Sequence, residues 1–291
     1  MKKLLVTGAS GFLGWNLCRA ALANWQVYGT YWRQPIALPD ATLLKVDLTN
    51  AQDLMHLFDT VRPDAVAHLA AQSSPNVCQT QPEDAYRVNV AATSLIAELC
   101  ADRAVPLAFT STDLVFDGLN PPYRERDPVS PINRYGEQKA LAEGAVLSHY
   151  PNAAVCRMPL MFGAAPPTAS SFIQPWLQTL RSSGSLALFI DEFRTPVSAT
   201  TAAQGILLAL QQVHGRIHLG GKESISRYEF GRLMAEVLEL PSDTVSACRQ
   251  QDVPMAAPRS PNASLDSSLA FGLGYAPRSL REELEALKGC V

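Results

Sequence analysis

Short apolar runs alternate with longer amphipathic segments through the first 160 residues of the chain. Residues 3–6 form an apolar run that stops at Thr7-Gly8, the pattern of a buried strand. Residues 12–23 follow as a helix, 26–31 as a second strand and 42–46 as a third. Asn50 opens a helix whose apolar positions Leu54, Leu57, Phe58 and Val61 recur at helical spacing, with Pro63 just beyond its end. Residues 64–69 read as a strand. Residues 83–103 read as one long helix with Val88, Ala91, Ala92, Leu95 and Leu99 along one side. A strand at 107–110, a helix at 132–150 and a strand at 153–157 complete the series. Strands that alternate with helices predict an α/β fold: a doubly wound parallel sheet with helices on both faces.

The alternation loosens after Ser111. Residues 117–131 carry four prolines and many charges, a long surface loop of the kind that often serves function. Beyond Gly163 the pattern is mixed. Helices are expected near 171–182, 199–212, 226–239 and 278–288, with short strands near 186–190 and 216–219. The expectation is a Rossmann domain over residues 1–162 and a smaller α/β substrate lobe over 163–291, partly interleaved with the sheet.

Composition narrows the class. The chain has 291 residues, is 47% hydrophobic and 18% charged, and carries a formal net charge of −3, which is ordinary globular usage. No run of basic residues marks a nucleic-acid footprint. No window is long enough for a membrane span. The apolar stretch after Lys2-Lys3 stops too early for a signal peptide. The six cysteines show no C-x-x-C spacing, so reduced thiols and a cytoplasmic location are expected. His214 and His218 have the i, i+4 spacing of a zinc pair, but the intervening residues read as turn and strand, so no metal site is expected.

Two motifs carry candidate chemistry. Gly8, Gly11 and Gly14 lie in a strand-to-helix turn, Thr7-Gly8-Ala9-Ser10-Gly11-Phe12-Leu13-Gly14. Such a turn lets backbone approach a pyrophosphate at a helix N-terminus. Far downstream, Tyr135 and Lys139 stand four residues apart, on one face of a helix. An ammonium beside a phenol lowers the tyrosine pKa, which suits a proton donor to a carbonyl oxygen. The acidic residue that holds the adenosine 2′-hydroxyl in NAD sites is missing from the end of the second strand. Arg33 stands there instead, with Thr30 nearby, which predicts NADPH over NADH. Asp47 either faces the adenine end or serves as a carboxylate near the next helix N-terminus.

With these motifs in order, the chain resembles the extended short-chain dehydrogenase/reductases. It is most similar to the dTDP-4-dehydrorhamnose reductases and the related β subunit of methionine adenosyltransferase. Thr7–Gly14 matches the family's cofactor turn, and His68-Leu69-Ala70-Ala71 the segment beside the cofactor. Ser111-Thr112-Asp113-Leu114-Val115-Phe116-Asp117-Gly118 is similar to S-T-D-x-V-F-D-G. Pro122-Tyr123-Arg124-Glu125-Arg126-Asp127 with Pro131, Tyr135-Gly136 and Lys139 matches P-Y-x-E-x-D…P…Y-G-x-x-K. The resemblance implies a catalytic triad of Thr112, Tyr135 and Lys139. It implies NADP contacts, with NAD possible, at Gly8, Ser10, Gly11, Phe12, Leu13, Arg33, Asp47, Leu48, Leu69, Ala70, Ala71, Tyr135 and Lys139.

Substrate contacts are implied at Asp113, Phe116, Met161 and Arg194. Asp113 either touches substrate or caps its loop, and Arg194 either lies near substrate phosphates or is an exposed ion-pairing residue. His68 reads as a satisfied core residue that could also line the nicotinamide pocket. Leu114 stands where sugar-nucleotide dehydratases carry the glutamate of T-D-E. No cysteine stands where fucose-synthase-like epimerase-reductases place one. The Trp that rhamnose reductases carry after the sixth strand is absent from Arg157–Gly163. The expected activity is reduction of a nucleotide-linked 4-keto-sugar by a homodimer. The alternatives are a non-catalytic regulatory subunit and a nucleotide-sugar epimerase.

Overall fold

A computed structural model describes all 291 residues. Seven parallel strands form the central sheet: β1 (Lys3–Thr7), β2 (Gln26–Tyr31), β3 (Ala41–Lys45), β4 (Ala65–His68), β5 (Leu107–Thr112), β6 (Ala154–Met158) and β7 (Gly215–His218). Their order is β7-β6-β5-β4-β1-β2-β3. The order reverses between β1 and β4, and ligands in such sheets lie outside the strand ends at that reversal. Thr7 and His68 are register partners there.

Burial on both faces explains the near-continuous apolar strands. One face packs Leu4, Val6, Leu17, Val27, Ile206 and Ile217. It is covered by α1 (Phe12–Ala21), while the other face is covered in part by α2 (Ala51–Val61). That second face buries Leu5, Leu54, Phe58, Ile96, Phe109 and Val146. α3 (Pro75–Thr80) and α4 (Pro82–Tyr86) follow β4, then α5 (Ala92–Asp102). The long helix expected over 83–103 is a continuous helical run from Pro82 to Asp102, but only Ala92 and Leu99 of its expected apolar side are buried; Val88 and Leu95 are half-buried and Ala91 is exposed. Residues Arg87–Ala91 form a π-turn between α4 and α5. α6 (Arg134–His149) starts two residues later than expected because the Asn133 side chain caps it, accepting from Gly136 N at 2.9 Å.

Further helices α7 (Ile173–Arg181), α8 (Ala199–Gln212) and α9 (Arg227–Val237) match the expected segments to within a few residues. α10 (Ser268–Gly272) was not expected, and α11 (Leu280–Glu285) is shorter than the expected 278–288. α8 packs on α1. A separate cluster of Phe162, Ile173, Leu177, Phe230, Met234 and Leu284 forms the core of the C-terminal region. β7 comes from the second half of the chain and pairs in parallel with β6 in the main sheet. No helix is long and apolar enough to cross a membrane.

Candidate active site

A cleft of about 700 Å³ runs along the C-terminal ends of the strands, from the glycine turn to Tyr135 and Lys139. At one wall, Gly8 adopts φ +71° and lies so close to Ala70 that an added Cβ would sit 2.8 Å from the Ala70 Cα. Gly14 packs directly on the Gly8 carbonyl, so α1 can start flush against the turn. α1 has Gly11 at its N-cap and no side-chain cap, which leaves first-turn N–H groups for a ligand. Ser10, Phe12 and Leu13 line the same wall. A backbone cradle that excludes Cβ atoms fits a dinucleotide pyrophosphate.

Arg33, Asp47 and Leu48 line the cleft beyond the glycine turn. The Thr30 hydroxyl instead accepts from Gly8 N at 3.2 Å, so it braces the turn. Asp47 has a structural task as well. Its carboxylate accepts from Thr49 N at 2.9 Å and from the Thr49 hydroxyl at 2.7 Å, while Asn50 caps α2. Leu69, Ala70 and Ala71 line the cleft beside the glycine turn, with Ala70 packed against Gly8.

At the catalytic end, Thr112 closes β5 and caps the 3₁₀ turn Asp113–Val115, accepting from Leu114 N at 3.2 Å. Gly136 in the first turn of α6 packs against the Leu114 carbonyl. That contact docks the helix on the turn and sets the Tyr135 phenol beside the Thr112 hydroxyl. Tyr135, Lys139 and Met161 line the cleft, whereas Thr112 lies just behind it.

The electrostatics differ from the sequence expectation. The Tyr135 phenol is pushed up, not down, first by burial and then by Cys78 and Asp113, against a smaller opposing effect of Thr112. Burial pushes Lys139 down to about 7, although Glu143 and Cys78 pull it upward. Lys139 is not among the groups that shift the Tyr135 phenol in the free protein. Its Nζ rests 4.1 Å from the Phe109 ring centroid.

Two expected substrate contacts are corrected. Phe116 is fully buried, stacked on Tyr123 with ring centroids 4.1 Å apart, and does not reach the cleft. Arg194 is buried rather than exposed. It donates to the Phe193 and Ser260 carbonyls at 2.6 and 3.0 Å and lies 3.4 Å from Asp113 Oδ2. Asp113 is likewise buried, and burial pushes it up to about 6 against the pull of Arg194 and Thr112. Capping belongs to Thr112, which also donates to Asp113 Oδ1 at 3.1 Å. His68 is satisfied in the core, between the Thr7 and Thr93 hydroxyls. His218 pairs with Tyr123 O and Arg157, while His214 contacts Asn152 O.

Several groups were not legible as part of the site. Glu143 anchors α6 beneath the site, accepting from Ser111 at 2.6 Å and from Arg157 at 2.9 and 2.8 Å. Its place four residues after Lys139, on the same helix face, was a usable signal. Arg87 and Val88 of the π-turn, and Ser170, also line the cleft. Nothing in their spacing marks them.

A Rossmann-type parallel sheet, a Cβ-free glycine turn and a Tyr-x-x-x-Lys pair in one cleft define the architecture of the short-chain dehydrogenase/reductases. The chain belongs to the RmlD substrate binding domain family, which it matches over residues 1–288. It is 32% identical to the "Probable low-salt glycan biosynthesis reductase Agl14" of Haloferax volcanii, over 97% of this chain and 96% of that one. It is also 32% identical to the β subunit of methionine adenosyltransferase 2 of Pongo abelii, over 96% of this chain and 84% of that one. A hypothetical dTDP-4-dehydrorhamnose reductase from Sulfolobus tokodaii superposes with a TM-score of 0.84 at 31% identity, covering 94% of each chain. The dTDP-4-dehydrorhamnose reductase of Bacillus anthracis, solved with NADP, has the same fold, with a TM-score of 0.88 at 21% identity over 99% of each chain.

Proposed function

We propose that the protein is an NADPH-dependent reductase of a nucleotide-linked 4-keto-sugar. The observation that carries this reading is the meeting of Tyr135, Lys139 and the glycine turn in one cleft, with Thr112 at the phenol. Gly8, Gly11 and the first turn of α1 hold the pyrophosphate, and Arg33 faces the adenosine ribose. When bound, the nicotinamide supplies the hydride for the carbonyl carbon. Tyr135 gives its proton to the oxygen as negative charge develops there. A raised phenol pKa keeps that proton in place until an alkoxide, a stronger base, demands it. Thr112 orients that oxygen once its hydroxyl, held at Asp113 Oδ1 in the free protein, turns from Asp113 toward the substrate. Lys139 binds ribose hydroxyls, and its charge returns as anionic phosphates enter the site. Met161 and residues 163–291 shape the sugar pocket.

The second reading is a regulatory subunit that binds the dinucleotide without turnover. The likeness to the methionine adenosyltransferase β subunits supports it. The two readings part on one assay: NADPH oxidation with dTDP-, UDP- and GDP-linked 4-keto-sugars. Turnover with any of them supports the reductase. Tight NADPH binding without turnover, together with a co-purifying methionine adenosyltransferase, supports the regulatory reading. We also propose a homodimer through the face formed by the π-turn, α5 and α6, where Tyr86 and Leu141 are 46% and 57% exposed around an apolar groove.

A further inference from the structure

The loop after β4 is held by side chains that reach it through the core. Leu69 N and Ala70 N both donate to the Thr7 hydroxyl oxygen, at 3.1 and 3.2 Å. That hydroxyl lies 2.6 Å from Nδ1 of His68. On the other side of the ring, Nε2 lies 2.9 Å from the Thr93 hydroxyl, which itself donates to the Asn89 carbonyl at 2.9 Å.

Donor accounting fixes the direction of every bond. The Thr93 proton is committed to Asn89 O, so Thr93 Oγ1 must accept from His68 Nε2–H. A buried imidazole flanked only by hydroxyls, with Lys139 near, is neutral; burial and Lys139 push it down to about 3. Nδ1 is then an acceptor, and it takes the Thr7 proton. The chain runs Leu69 and Ala70 N–H to Thr7, Thr7 to His68, His68 to Thr93, and Thr93 to Asn89.

Asn89 lies in the π-turn, a feature often found at functional sites. Its side chain holds the other end of the same loop, accepting from Gln72 N at 2.8 Å and donating to Gln72 O at 3.1 Å. It also donates to Gln138 Oε1 at 2.9 Å, beside Lys139 on α6. The segment 69–72 is therefore clamped at both ends, with Ala70 against Gly8.

We propose that His68 is a positioning residue for the dinucleotide: through Thr7 and Thr93 it clamps residues 69–72 against the glycine turn and sets the width of the cofactor cleft. This rests on reading the cleft as a dinucleotide site. Without the ring's hydrogen bonds, the Thr7 hydroxyl can rotate away and the two loop N–H groups lose a fixed acceptor.

The test is NADPH affinity, by fluorescence titration, in five variants: Thr7→Val, Thr7→Ser, Thr93→Val, Thr93→Ser and His68→Phe. Phenylalanine keeps the stack on Phe109, whose ring centroid is 5.6 Å away. Removing a clamp hydrogen bond should weaken NADPH binding about 10-fold in the valine and phenylalanine variants. Serine keeps each hydroxyl and should restore affinity close to wild type. If these variants fold cooperatively, melt earlier and yet bind NADPH as tightly as wild type, His68 is merely structural and the proposal falls. Where a valine or phenylalanine variant does not fold, His68→Gln, which keeps one of the two hydrogen bonds, takes its place under the same criterion. A wild-type protein that binds neither NADPH nor NADH overturns the reading of the cleft and this proposal with it.

Discussion

Glu143 and Arg157 meet in two parallel hydrogen bonds of 2.9 and 2.8 Å, with both side chains only 1% exposed. The pair ties α6, which carries Tyr135 and Lys139, to β6. Truncating one partner strands a buried charge, so Glu143→Ala should cost about 3–5 kcal/mol in denaturant unfolding. Replacing both, as in Glu143→Leu with Arg157→Met, should recover most of that loss. Burial alone would raise the Glu143 pKa, but Arg157, Ser111 and Arg216 together bring it below its usual value. Its contribution is therefore present above the unfolded carboxylate pKa and is lost as pH falls through the folded one. If acid sensitivity is unchanged in the double variant, the pair is not its source.

The same pair shows where the sequence was legible. The glycine turn, the seven strands of the sheet and the Tyr-x-x-x-Lys face could be read because each follows from local periodicity and spacing. Arg157 could be read only as the end of a strand, because its partner lies on another element. Phe116 and Arg194 were misplaced for a related reason. Their covers, Tyr123 and the Ser260 carbonyl, arrive by tertiary folding. The π-turn rotates the buried side, leaving Ala91 exposed and burying Asn89 and Thr93, which apolar spacing alone does not mark. Tyr135 was assigned a lowered pKa from its neighbour's charge alone; burial, which the sequence does not state, acts on both groups.

Tyr135→Phe removes only the proton that the phenol supplies. On an accepted substrate kcat should fall by about 10²–10⁴-fold. NADPH affinity should stay near wild type, because Tyr135 mainly lines the catalytic end. Steady-state kinetics and a binding titration on the same preparation check both halves. A wild-type kcat in the variant would move the acid elsewhere.

Lys139 gives the free protein a distinct pH profile. Its folded pKa, about 7, lies below the usual lysine value of 10.5. Below pH 7 both states hold the proton and the full burial cost is present. Between about pH 7 and 10 the unfolded state binds more protons, so stability should rise with pH. Lys139→Met removes the cost at every pH. The stability difference between variant and wild type should therefore be largest near neutrality and below, and shrink toward pH 10. A difference that is flat across that range would show that the ammonium is not buried as described.

The proposed dimer face is open to a single test. Leu141 is 57% exposed in the groove it shares with Tyr86 and Val90. Leu141→Asp should shift the mass in light scattering from dimer to monomer, since an unpaired charge in an apolar interface is strongly unfavourable. A wild-type monomer at all concentrations would refute the dimer outright.

Cofactor choice rests on the end of β2. A carboxylate there would accept from the adenosine 2′-hydroxyl and repel a 2′-phosphate. The chain has none between Gln26 and Pro39, and Arg33 lines that end of the cleft. Thr30, the other polar group nearby, accepts from Gly8 N at 3.2 Å and keeps its own proton to donate, but it carries no charge, so the charge-based discrimination falls on Arg33. Guanidinium–phosphate hydrogen bonds are charge-assisted and paired, and losing them costs about 1.5–3 kcal/mol, or roughly 10–100-fold in affinity. Arg33→Ala should weaken NADPH by that factor and leave NADH nearly unchanged, because NADH offers no 2′-phosphate to lose. Arg33→Lys should fall between the two, since an ammonium keeps the charge but not the fork. Equal losses for both dinucleotides would instead mean that Arg33 supports the wall of the cleft and reads no phosphate.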